Sequence, residues 1–127
     1  MQSQTFEASR FREEVRAFCS EHTPADLVRK AATYAYYSKE ERTRWQRLLQ
    51  DRGWFAGHWP QTHGGQDWGP LQRFIFIEEL EHAGTPWLTH FGISFAGPLI
   101  YTFGTPEQQR RFLPGILDST TWWCQGF

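Results

Sequence analysis

Apolar residues recur along this chain at helical spacing, in blocks divided by proline and glycine. Phe11, Val15 and Phe18 fall at i, i+4 and i+7, while Arg12, Glu13 and Glu14 occupy other faces. This predicts an amphipathic helix over 5–22 with Thr5 as its cap. Thr23-Pro24 stops it, because a residue before proline avoids the α region. The stretch 26–37 opens on Leu27-Val28 and closes on Tyr34, Tyr36 and Tyr37, a pattern that fits a loop or a short helix. Ser38 then caps a second helix, with Glu40 and Glu41 in its positive first turn, Trp45, Leu48 and Leu49 as its buried stripe and Gly53 as its stop.

Residues 54–69 read WFAGHWPQTHGGQDWG, too rich in glycine and proline for a regular helix, and their three tryptophans predict an ordered loop that packs on something. Pro70 suits the first turn of the next helix. Leu71, Phe74, Ile75, Phe76, Ile77 and Leu80 leave that helix little polar surface, which predicts burial in the middle of a bundle. Gly84 ends it. Thr85-Pro86 reads as the opening of a further helix carrying Trp87, Phe91 and Phe95, which Gly97-Pro98 must kink or interrupt. Thr105-Pro106-Glu107 opens a short last helix that Pro114 closes, and TTWWCQGF over 120–127 is rich in strand formers. The pattern is all-α: a bundle of about five to six helices followed by the start of a strand. A lone strand has unmet backbone groups, so the pattern expects a longer protein or a pairing chain.

The charge balance adds mainly exclusions. A net charge of −1 with 21% charged residues gives no footprint for nucleic acid. The N-terminus lacks the apolar core of a signal peptide, and no apolar run reaches membrane-spanning length. Cys19 and Cys124 lack metal-ligand spacing and read as buried free thiols of a reducing, cytoplasmic compartment. The five histidines form no HExxH or close His/Cys set, so no metal is expected. There is no dinucleotide fingerprint and no nucleophile elbow. Aromatics reach 17%, more than a short chain readily buries, so some are expected against a cofactor, a partner or another domain.

An ordered set of motifs runs from Trp59-Pro60 with Gly64-Gly65, through Glu78-Glu79-Leu80 and Gly97-Pro98-Leu99-Ile100, to GTPEQQRRFLP over 104–114 and Trp123 with Gln125-Gly126-Phe127. This set resembles the acyl-CoA dehydrogenase flavoproteins. The resemblance implies an N-terminal helical domain over 1–118 and, over 119–127, the start of a middle β-domain. A C-terminal helical domain would complete the subunit. It further implies FAD, oxidation of an acyl-CoA thioester at its α and β carbons, an electron-transfer flavoprotein as partner, and homo- or hetero-oligomers. The glutamate that removes the α-proton belongs, in the family, to the C-terminal domain, so no catalytic base is assigned in this chain.

By the same resemblance, Phe91, Ser94 and Phe95 line the acyl channel, and Gln125 and Phe127 contact the flavin. The residues alone leave plain bundle core and ordinary strand positions as alternatives. Glu78 and Glu79 read as a solvent face or as partners of Arg73 and His82, and Arg110 and Arg111 as solvated charges or as contacts to CoA phosphates or a subunit. A second reading of the whole is a stand-alone helical interaction or acyl-binding module without catalytic activity.

Overall fold

The computed structural model describes residues 2–127, with side chains from Glu7 onward. Among these residues the chain forms α1 (Gln2–His22), α2 (Ala25–Ala32), α3 (Lys39–Asp51), α4 (Pro70–His82), α5 (Gly97–Phe103) and α6 (Pro106–Leu117). A 3-10 turn spans Gln61–His63, and a π-helical segment over Phe91–Ala96 leads into α5. The all-α expectation holds, with different boundaries. α1 starts at Gln2, so Thr5 lies inside it. The stretch after Pro24 is helical as α2, anchored by fully buried Leu27. Ser38 caps α3 through a reciprocal box with Glu41.

The tryptophan-rich loop is the centre of the core. Trp54, Phe55, Ala56, Trp59 and Trp68 are all buried in it, together with Val15 of α1 and Trp45 and Leu49 of α3. Phe11 meets the Trp68 ring edge-on at 5.2 Å. Trp68 can lie across the loop only because position 57 is glycine: a Cβ there would stand 2.3 Å from its ring.

α4 is buried on one side only. Ile75, Phe76, Glu79 and Leu80 are covered, whereas Leu71, Phe74 and Ile77 are exposed, so the expectation of all-round burial is corrected. The partners expected for its acidic pair are corrected too. Arg12 of α1 donates to both Glu78 and Glu79, and Arg16 donates to Glu79 at 2.9 and 3.0 Å. A carboxylate 2% exposed against α1 needs such a pair, and the two guanidinium groups hold its pKa below the usual range despite burial.

Thr85 closes α4 and opens nothing. Its backbone N–H and its hydroxyl both donate to the Leu80 carbonyl, at 3.2 Å each. Helical backbone resumes only at His90. Buried Gln46 ties this connection to both neighbours. Its carbonyl accepts from the Thr89 N–H at 2.7 Å and the Thr89 hydroxyl at 2.9 Å, while its amide donates to the Ser119 hydroxyl at 3.0 Å.

Thr105 caps α6 with Gln108, as its sequence indicates. Pro114 does not end that helix, which runs on to Leu117. An interior proline costs about 3 kcal/mol. Covering Leu113 and Ile116, each about 1.5–3 kcal/mol when fully buried, offsets it.

The strand expected over 120–127 is absent among the described residues. The Thr120 N–H is taken by the Asp118 carboxylate at 2.9 Å, and the Thr121 N–H by the Gly115 carbonyl at 3.0 Å. Trp122 donates to the Ser119 carbonyl, and Trp123 packs edge-on against Phe112. The turn thus consumes the first donors of the strand, and no partner strand is present to reward the rest.

Candidate functional site

The site is set by a proline. In the π-helical segment the Gly97 N–H donates to the Gly92 carbonyl, five residues back. The next bond in that register would come from residue 98, which is Pro98 and has no N–H. The Ile93 carbonyl is therefore left open inside the fold. The tryptophan-rich loop fills the vacancy with two side chains. Trp59 Nε1–H donates at 2.6 Å, and His58 Nε2 lies at 2.9 Å. A carbonyl only accepts, so His58 carries its proton on Nε2 and keeps Nδ1 as an acceptor. Burial lowers the His58 pKa, which favours this neutral ring. Gly97 completes the join, since a Cβ there would stand 1.9 Å from the Trp59 indole.

This join shapes a cavity of about 120 Å³ between the loop, α4 and the π-helical segment. Its walls include Trp54, Trp68, Phe76, Ile77, Leu88 and Ile93, and its polar groups come from His58, Arg73, His90 and Ser94. No Asp or Glu lines it. Arg73 has no ion-pair partner among the described residues, because the α1 arginines hold Glu78 and Glu79.

Of the residues singled out for an acyl channel, Ser94 lies in the cavity wall. Phe91 and Phe95 lie outside it, with ring centroids 6.0 Å apart, 43% and 61% exposed. Leu99 and Phe103 are exposed further along the same helix, and Leu71, Phe74 and Ile77 on α4. Ile77 is common to the exposed set and the cavity. Gln125 and Phe127 are on the exposed tail, away from the cavity lining. Among the described residues the Gln125 amide makes no hydrogen bond.

His58, Arg73 and His90 line the cavity without having been expected there from the sequence. The available signal was Pro98, which demands a donor for a buried carbonyl from elsewhere in the chain. Cys19 is buried as expected, and burial pushes its thiol up to about 11, so it is unreactive near neutral pH. Cys124 is exposed, which corrects its expected burial: it sits beyond the tryptophans that pin the tail. No grouping of His, Cys, Asp and Glu among the described residues suits a metal, and none of these helices is long and apolar enough to cross a membrane.

The family model for the acyl-CoA dehydrogenase N-terminal domain matches residues 5–120. The chain belongs to the acyl-CoA dehydrogenase family. An acyl-CoA dehydrogenase of Mycolicibacterium smegmatis, IpdE1, is 37% identical over 126 residues, which cover 95% of this chain and 32% of that protein. The Mycobacterium tuberculosis acyl-CoA dehydrogenase IpdE1 is 45% identical over 89 residues, covering 69% of this chain and 23% of that protein. A solved structure named Tcur3481-Tcur3483 steroid ACAD superposes with a TM-score of 0.74 at 29% identity, covering 88% of this chain and 29% of that one. The chain thus spans about a third or less of the acyl-CoA dehydrogenases it matches, and the part it corresponds to is their N-terminal helical domain.

Proposed function

We propose that this domain forms one wall of the acyl channel, and one edge of the flavin site, of an FAD-dependent enzyme that oxidises an acyl-CoA thioester to the α,β-enoyl-CoA. The observation that carries the reading is a cavity walled by Ile77 and Ser94, with exposed apolar side chains on both elements that supply its wall, Phe74 on α4 and Phe91 and Phe95 on the π-helical segment. Apolar walls with a few convergent polar groups suit an alkyl or polycyclic chain, and the solved neighbour is named for a steroid.

Gln125 and Phe127 are the residues of this chain that would hold FAD. They fit it in that the Gln125 amide is exposed and uncommitted, able both to donate to and accept from a polar ring. Bound FAD would supply the acceptor for the hydride lost from the β carbon. This chain's own residues position and desolvate the acyl group. With no carboxylate on the cavity wall, and Glu78 and Glu79 tied to arginines, the base for the α-proton has to come from the rest of the subunit. The domain boundary near residue 118, an oligomeric assembly and reoxidation by an electron-transfer flavoprotein belong to the same reading.

The test is anaerobic addition of an acyl-CoA thioester to the complete flavin-loaded subunit. Loss of the visible flavin band is expected, and Phe95→Ala should shift the preference among acyl groups of different bulk. A protein that holds no flavin and binds acyl-CoA unchanged would favour the non-catalytic binding module instead.

A further inference from the structure

Arg73 differs from its neighbours in what it lacks. Arg12 and Arg16 are tied to Glu78 and Glu79, and Arg44 to Asp26. The Arg73 guanidinium has no carboxylate within reach among the described residues, yet it stands on the wall of a cavity whose other members are largely aromatic and aliphatic. It also borders the exposed patch of Phe74 and Ile77. His90 and Ser94 reach the same cavity from the π-helical side, and His58 from the loop. His90 and Ser94 can donate to an oxygen, His58 has only its acceptor nitrogen left once Nε2–H is given to Ile93, and only Arg73 carries a permanent charge.

The volume narrows the occupant. About 120 Å³ is slightly less than the roughly 150 Å³ hollow that accepts a benzene ring. One ring, or a short branched end, fills it, and a nucleotide does not. The rings of Trp54, Trp68 and Phe76 would cover the faces of such a group. A charge pair beside these walls is screened less than one in water.

We propose that this cavity receives the end of the acyl group remote from the thioester, and that Arg73 selects an end bearing a free carboxylate. The substrates favoured are then acyl-CoA thioesters with a ring-sized terminus and a second, unesterified carboxyl group. The inference rests on the acyl-channel reading and adds the chemistry at the far end of the channel. Arg73 is here a specificity residue that touches the distal carboxylate. His58 acts through Ile93 and positions the wall.

The experiment uses the complete flavin-loaded subunit and two small probes, cyclohexanecarboxylate and cyclohexanecarboxamide, which share a shape and differ in charge. Binding is read from tryptophan fluorescence, since Trp54 and Trp68 line the cavity. The carboxylate is expected to bind about tenfold tighter than the amide, a modest figure for a charge-assisted pair. Arg73→Gln should abolish that preference while leaving amide affinity unchanged, and Arg73→Lys should retain part of it. Arg73 is exposed and unpaired, so these variants keep the fold. Equal affinity for the two probes, no binding of either, or a preference that survives Arg73→Gln overturns the inference. Flavin bleaching by acyl-CoA is scored separately. Bleaching without carboxylate preference removes the subsite and leaves the dehydrogenase reading. Preference without bleaching keeps an anion-selecting cavity in a protein that is not this dehydrogenase.

Discussion

The Ile93 carbonyl collects two side-chain donors because Pro98 cannot offer a backbone one. Trp59 keeps one protonation state at any pH of interest, whereas the His58 ring takes up a second proton, on Nδ1, as pH falls. Because burial lowers the folded-state pKa of His58, the unfolded chain binds its proton first as pH falls. Stability from this group is therefore complete above its unfolded pKa, about 6.5, and is lost as pH drops from there through the lower folded value. Denaturant unfolding from pH 7.5 to 5 should show this loss, and His58→Gln, which keeps a donor and does not titrate, should show less of it. An unchanged slope would mean that His58 does not set it. None of this was legible at His58 itself, where nearby residues give no hint of Ile93, 35 positions away. Ser94 was singled out by the family pattern, and the structure puts it on the cavity wall. Arg73 was seen only as a partner for acids that Arg12 and Arg16 in fact hold, because a choice among cations is made by helix packing and not by proximity in sequence.

Between elements, the join of α5 to the loop is made by close approach. Gly97 admits the Trp59 indole, and any larger residue has to push it away. Gly97→Ala is expected to cost about 1–3 kcal/mol, the usual penalty for overpacking. Urea unfolding measures this, and a change below about 0.5 kcal/mol would show that the indole shifts freely. Helix positions were largely readable where local chemistry decides them. Ser38 and Thr105 cap through hydroxyls and following polar side chains, and Gly53 and Gly84 stop helices with positive φ. Elements settled by distant partners were misread. Thr85-Pro86 has the sequence of a helix start, but the Thr89 N–H, which would make the first helical bond back to Thr85, is held by Gln46, 43 residues away. Pro114 has the sequence of a helix end, but burial of Leu113 and Ile116 carries the helix through. The run after Thr120 favours a strand, and a strand cannot be realised by one segment alone.

For the molecule as a whole, the exposed apolar set is the salient property. Leu71, Phe74, Trp87, Phe95, Leu99 and Phe103 are each more than half exposed. Each side chain of this size gains about 1.5–3 kcal/mol when covered, against a domain stability of about 5–15 kcal/mol. The 127-residue chain by itself should thus self-associate as its concentration rises, which sedimentation velocity would detect. A monomer at every concentration would mean that this surface tolerates water and needs no cover. The Gln46 amide, finally, has a kinetic meaning. Its bonds reach across 43 and 73 residues, so the chain must close two long loops before either is rewarded. Such a knot ties late on the folding route, after the helices and the tryptophan loop have met. Its strength then governs chiefly how slowly the native state comes apart, and has little bearing on how fast it is reached.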